Sequence, residues 1–389
     1  MALPSRAEVV IVGGGCMGAS IAYHLAARGV RDVVLVERGT LACGPTGRST
    51  AILRRHYSQP LLVRMAEHGL RLYSQFEEAV GAGCGFVRTG LLVGVDPRDR
   101  GALEHNVEVA RAEGILMELL DSDELAEIEP RIDPGELDYC LEPEAGYCDP
   151  YLATAGFASA ARRDGAEIAE GVTAEAVAPG EVQTSRGTVS AGAVVVAAGP
   201  WSPPLLAPLG YELPIRSARA EVGRFRLPAD FGGQLPAVAD FSASQLYFKP
   251  SEPGFLEVGS LSPHHAERPI DPDACPEGAE AETLEEFAHG LSRRLRGADR
   301  GHWRGSWSAI YDVTPDWHPA IGQVPGTEGV FVAAGFSGHG LKLAPAVGLS
   351  VAELICDGRT TSFDLSLLDP ARFERNELVS TTYGYSVLG

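Results

Sequence analysis

A chain of 389 residues with 45% hydrophobic side chains has ample material for a core, which excludes an intrinsically disordered polypeptide. With 52 acidic against 32 basic residues the formal charge is −20, which argues against nucleic acid or an anionic membrane as a partner. The 7 cysteines are odd in number and never in CxxC spacing, so neither a disulfide framework nor a metal site is expected.

Taken in order, Glu8-Val9-Val10-Ile11-Val12 reads as a buried strand leading into Gly13-Gly14-Gly15-Cys16-Met17-Gly18 and a helix over 19–28. In this pattern Gly13 permits a tight turn, Gly15 lets the backbone approach a pyrophosphate, and Gly18 lets helix and strand pack closely, the helix N-terminus facing the phosphates. A second strand, 32–36, ends in Glu37, about 20 residues on, where an acid can accept hydrogen bonds from an adenosine ribose. NAD and FAD both remain open here, because Glu37 argues only against a 2′-phosphate. The first apolar stretch is too short for a signal peptide and no run approaches the ~20 residues of a membrane span, so no membrane partner and a cytoplasmic location are expected.

A small, polar loop over 43–53 runs into Arg54-Arg55 and can follow a cofactor closely. Apolar spacing predicts a helix over 60–80; 86–95 is β-rich and broken by Gly90. Helices are predicted over 102–113 and 122–128, the second with Asp121 as N-cap and Glu124 completing a capping box. A helix over 151–164, a short strand over 165–168 and hairpin strands over 172–177, 181–184 and 188–189 lead to the apolar run Ala193-Val194-Val195-Val196-Ala197-Ala198-Gly199. Its small-residue ending suits a central strand against a bulky ligand. Residues 206–311 carry strand-like runs at 220–227, 245–249, 254–259 and 307–311 and a helix over 284–296, a separate sheet-based domain. From Pro319 the pattern of the N-terminal region returns, with a strand and glycine loop over 329–340 and a helix over 344–356. Of the 32 basic residues two are lysines, Lys249 and Lys342, so each is worth locating.

Four stretches together resemble the FAD-dependent D-amino-acid oxidase, glycine oxidase and sarcosine oxidase family: the N-terminal glycine motif with Ala22-Tyr23-His24-Leu25, Ala197-Ala198-Gly199-Pro200-Trp201, Thr314-Pro315-Asp316, and Gly335-Phe336-Ser337-Gly338-His339-Gly340-Leu341-Lys342. The last is the most specific and is closest to the glycine and sarcosine oxidase branch. The resemblance implies an α/β, Rossmann-like FAD-binding domain over 1–85, 150–205 and 319–375. It implies an α+β substrate-binding cap over 86–149 and 206–318, with a mainly antiparallel sheet, the two interleaved in sequence. FAD contacts are expected from Gly13, Gly15, Cys16, Met17, Gly18, Glu37, Arg38, Arg48, Ser49, Thr50, Val172, Ala198, Gly199, Trp201, Gly335, Gly338, His339, Gly340, Leu341 and Lys342.

By the same resemblance Arg54 and Lys342 pair with a substrate carboxylate, and Tyr247 and Tyr311 surround its amine. His318 is expected to be structural. Three positions depart from the sarcosine oxidase pattern. Ala309 stands where a cysteine holds the flavin, so FAD is expected to be non-covalent. Glu257 stands where a lysine assists reaction with oxygen, which predicts slower reoxidation, and Ala51 replaces a further arginine. The implied activity is oxidation of glycine or an N-substituted glycine by hydride transfer to flavin N5. The imine would hydrolyse to glyoxylate and amine, and O2 would be reduced to H2O2. Competing readings are a D-amino-acid oxidase, a dehydrogenase using another electron acceptor, an NAD-dependent dehydrogenase, and a non-catalytic flavin-binding subunit of a complex.

Overall fold

The computed structural model describes residues 3–262 and 269–383. Two eight-stranded sheets organise it. In the first, strand Arg6–Val12 lies parallel between Val33–Glu37 and Gly187–Val196. Beyond Val33–Glu37 lies Glu167–Glu170, also parallel. Gly187–Val196 is one long strand where two short ones were expected. Its first half closes a meander with Ala174–Ala178 and Glu181–Thr184, and its second half pairs in parallel with Val330–Ala334, so different partners hold its two ends. Ala320–Gln323 completes the sheet against Val330–Ala334.

The central strands are almost purely aliphatic because both faces are covered. Val9 and Ile11 join the core beneath helices Cys16–Ala27, Pro150–Arg163 and Gly340–Asp357. Val10 and Val12 face the opposite core with Leu206 and Tyr211. Two glycines fix how closely the first helix approaches. Gly13 has φ +113, and a Cβ there would stand 2.4 Å from Ala197 O; a Cβ at Gly18 would stand 1.9 Å from Gly13 O. Larger residues at either position would push the helix off the strand end.

The second sheet runs His302–Val313, Arg216–Arg226, Phe255–Ser260, Leu246–Pro250, Ala237–Asp240, Leu91–Val95, Asp138–Glu142 and Glu118–Leu120. Its pairs are antiparallel except Ala237–Asp240 with Leu91–Val95. Leu246, Leu256 and Val258 pack on Phe287 and Leu291 of helix Ala281–Arg294. By the two-residue alternation of a strand, Tyr247 and Glu257 therefore face the other way. Segments supplying the two sheets alternate along the chain.

Several elements differ from expectation. The helix over 60–80 is two, Pro60–Ser74 and Phe76–Val80, interrupted at Gln75 with φ −117 and ψ 25. The last helix begins at Gly340, not 344, with Pro345 inside it. Proline cannot bond the carbonyl four residues back, that of Leu341, and Tyr73 Oη donates to this oxygen instead at 2.8 Å. The four-residue strands Ala237–Asp240 and Ala320–Gln323 lie outside the expected elements. Helix Ser122–Ile128 has its expected bounds and the full Asp121/Glu124 capping box. Among the described residues no helix is long and apolar enough to cross a membrane.

Candidate active site

Between the two sheets lies a cavity of about 600 Å³ whose walls come from both. Its lining includes Gly13, Gly15, Cys16 and Met17, at the start of the Cys16–Ala27 helix. Neither this helix nor Gly340–Asp357 has a side-chain cap from its N-cap residue or an acid in its first turn. Two positive helix ends are thus presented to one cavity. Glu37 also lines it and is held in place by two backbone donors, Gly14 N and Gly39 N, each at 2.7 Å. A carboxylate has lone pairs left after two such bonds, which suits ribose hydroxyls. Arg38 stacks 4.0 Å over the Trp201 ring, and both donate to Asp273 at 2.9 Å.

Arg48, Ser49, Thr50, Val172, Ala198 and Gly199 also line it, as do Gly338, His339, Gly340 and Leu341. Gly18 and Gly335 do not line the cavity. Gly18 sets the helix–strand approach at the strand end. Gly335, at φ +79, donates its N–H to Asp312 Oδ2 at 2.8 Å and so shapes the loop behind the wall.

Arg54, Lys342, Tyr247 and Tyr311 line the cavity as well. Lys342 is 7% exposed; burial and then the charge of Arg54 hold its ammonium well below the usual lysine range. Arg54 donates to His56 O and stacks 4.6 Å from the Tyr57 ring centre. The two cations expected to act together are therefore electrostatic neighbours. Tyr247 and Tyr311 are hydrogen-bonded to one another, and Thr50 Oγ1 donates to Tyr247 Oη at 3.4 Å. Burial pushes both phenols up, so they stay neutral. His339 is held well below the usual imidazole range by burial, then by Lys342 and Arg54, and its Nδ1 meets Tyr57 Oη at 3.3 Å. His318 lies outside the cavity with Nδ1 2.6 Å from Asp316 O, the structural place expected of it.

One expectation is corrected, and one neighbour comes from outside the motifs. Glu257 shares a sheet face with Tyr247 but does not line the cavity, because its carboxylate pairs with Lys249 across the strands at 2.9 Å. Its charge still reaches Tyr247 in the cavity wall, but the paired ammonium of Lys249 weakens the predicted drag on oxygen reactivity. Ala309 does have a thiol nearby: Cys275 lines the cavity with Sγ 3.9 Å from Ala309 O, although 34 residues separate them in sequence. Other wall residues are not marked by any motif in the sequence. Thr46 Oγ1 accepts from Cys16 N at 3.2 Å, and Asp312 is a buried carboxyl pushed up to about 6 by burial. The Thr314-Pro315-Asp316 motif two residues on was the available signal for Asp312.

The family model of FAD-dependent oxidoreductases matches residues 8–354. The chain belongs to that family. A cavity with a glycine-walled helix start, a fixed acid for ribose and a second helix end fits FAD, the cofactor of the family. The chain is 31% identical over 393 residues to the 4-methylaminobutanoate oxidase (formaldehyde-forming) of Paenarthrobacter nicotinovorans, covering 96% of this chain and 46% of that protein. It therefore spans less than half the length of that relative. Monomeric sarcosine oxidase of Streptomyces avermitilis is 30% identical over 385 residues, 94% of this chain and 97% of the other. The crystal structure of L-proline dehydrogenase from P.horikoshii superposes with a TM-score of 0.88 at 30% identity, covering 97% of this chain and all of that one.

Proposed function

We propose that this chain oxidises the Cα–N bond of an amino acid with a substituted nitrogen, an N-substituted glycine first, its carboxylate gripped by Arg54 and Lys342. The first sheet is taken as the FAD-binding unit and the second as the substrate cap. The observation that carries the reading is that those two cations, electrostatic neighbours, and the hydrogen-bonded Tyr247–Tyr311 pair line the same cavity. In a chain of net charge −20, an anion gains affinity only where cations converge. The oxidase, the sarcosine oxidase and the proline dehydrogenase that this chain is similar to each carry a name that denotes a secondary amine with a carboxylate.

FAD held in this cavity would supply a two-electron acceptor for the hydride of Cα. The protein's part is positional. Arg54 offers a planar fork and Lys342 a point charge, which orient the carboxylate and with it Cα. The neutral phenols and the cationic surroundings favour the uncharged amine, so no protein base is needed. Loss of hydride from the uncharged amine would leave an iminium, which water would hydrolyse to glyoxylate and the released amine with loss of a proton; that proton and the hydride would leave together on O2 as H2O2.

The test is a substrate panel with purified protein, read in parallel by peroxide release and by dye reduction under nitrogen. N-methylglycine and larger N-alkylglycines should release peroxide. Dye reduction without peroxide would favour the dehydrogenase reading, which the superposition on a proline dehydrogenase keeps in view. Turnover of free D-amino acids alone would replace the substrate class.

Two further outcomes are expected. Acid precipitation should release the yellow colour, since Ala309 offers no attachment; a coloured pellet that turns colourless in Cys275→Ser would instead identify Cys275 as the link. The pH profile of kcat/KM should rise as the substrate amine loses its proton and fall as Lys342 loses its own, below the ordinary lysine range. Lys342→Arg should remove the falling limb, because guanidinium does not deprotonate there. An unchanged limb would assign it to another group.

A further inference from the structure

Glu142 ends strand Asp138–Glu142 and is 0% exposed, yet it does not line the cavity. Its oxygens accept from Arg55 N at 3.0 and 2.9 Å, and Oε1 also accepts from Arg55 Nε at 2.7 Å. The N–H it holds belongs to the peptide joining Arg54 to Arg55. Arg55 is 1% exposed, with Nη1 reaching Glu67 at 2.6 Å and Glu144 at 3.0 Å. Glu142 thus grips the backbone from which Arg54 projects, while His56 O and the Tyr57 ring hold the guanidinium.

The negative charge of Glu142 also acts on Lys342, whose own charge Arg54 opposes. We propose that Glu142 is a positioning residue for the carboxylate clamp, fixing the peptide that carries Arg54. The proposal rests on the reading of Arg54 and Lys342 as that clamp. Of the groups facing Lys342, Arg54 opposes its charge, Glu142 favours it, and His339 and the Cys16 thiol, raised to about 11 by burial, are neutral. Burial raises Glu142 itself, while Arg55 and Arg54 act to keep it ionised.

The experiment measures binding of benzoate, an unoxidisable carboxylate, to the FAD-loaded protein from the change in flavin absorbance across pH, with benzyl alcohol as the uncharged control. Glu142→Gln keeps the shape and removes the charge. We expect benzoate Kd to rise about tenfold, and the pH above which binding fades to move downwards as Lys342 loses its proton more readily. Benzyl alcohol binding should not change. Glu67→Gln removes a partner of the same guanidinium without touching the 54–55 peptide and should leave both readings unmoved. A merely structural ion pair predicts lower stability with Kd and limb unchanged, and that result overturns the proposal. Should Glu142→Gln give no folded protein, Glu142→Asp is read in its place. The charge then stays and the reach is one methylene shorter, so Kd should rise with the limb unmoved, and an unchanged Kd overturns the inference. Arg54→Ala and Lys342→Ala separate the two levels. If neither weakens benzoate, the clamp reading fails and takes this inference with it. If both do and Glu142→Gln does not, the inference alone fails.

Discussion

Replacing Arg54 or Lys342 by alanine is expected to lower kcat/KM for the best N-alkylglycine by one to two decades each, with FAD retained. A charge-assisted hydrogen bond to a carboxylate contributes about 1.5–3 kcal/mol, and each alanine removes one anchor. The two losses should not simply add, because both side chains hold one carboxylate and sit in each other's field. Arg54→Lys should recover little, since an ammonium cannot offer the two-pronged contact of the fork. Amines without a carboxylate should be poor substrates for the parent and nearly indifferent to either change. Among carboxylates, N-alkylglycines should outrank D-alanine. Steady-state kinetics on the three proteins decide it, and full parental activity on decarboxylated analogues would remove both the clamp and the substrate class.

The sequence exposes what is built from local chemistry. Gly13, Gly15 and Gly18 mark a turn that other residues would obstruct, and Glu37 ends a strand whose apolar run sets its length, so this part of the cavity is legible. The capping box at Asp121 is legible for the same reason, since two side chains within one helical turn settle it. What escapes depends on register between distant strands. Glu257 faces the expected side of its sheet, but its fate is decided by Lys249 on the neighbouring strand, and no spacing in one segment announces that pairing. Cys275 reaches Ala309 only through tertiary folding, which sets the residue after the short helix Pro272–Ala274 beside strand His302–Val313. Pro345 looks like a breaker in the sequence, which places the start of the last helix too late. Its cost is offset by the hydroxyl of Tyr73, which comes from 268 residues before the carbonyl it satisfies.

The largest stability effect is expected at Arg372, which does not line the cavity. Arg372 is 1% exposed and meets Asp316 through Nε at 2.9 Å and Nη2 at 3.1 Å, with Nη2 also donating to His318 O at 2.7 Å. Asp316 closes the Thr314-Pro315-Asp316 motif and accepts from His318 N at 3.1 Å and Val379 N at 3.1 Å, tying the strand leaving the second sheet to the C-terminal segment. Arg372→Met keeps the stem but strands the carboxylate, and breaking a buried pair from one side costs about 3–5 kcal/mol. Urea unfolding at pH 7 should register that loss, and Asp316→Asn added to Arg372→Met should recover part of it, because the uncompensated charge is gone. The pH dependence has a fixed sign. Burial works to raise Asp316, yet the hydrogen bonds and charge of Arg372 hold its carboxyl below the usual range. A group depressed on folding stabilises above its unfolded value of about 3.9 and loses that contribution as pH falls through the folded one. In Arg372→Met burial acts unopposed by that cation, so the carboxyl takes up its proton at higher pH. The gap in unfolding free energy between parent and variant should therefore be widest near neutrality and close as the solution is acidified. A loss below about 1 kcal/mol at pH 7, or a gap that widens towards acid, would show that the pair does not carry this joint.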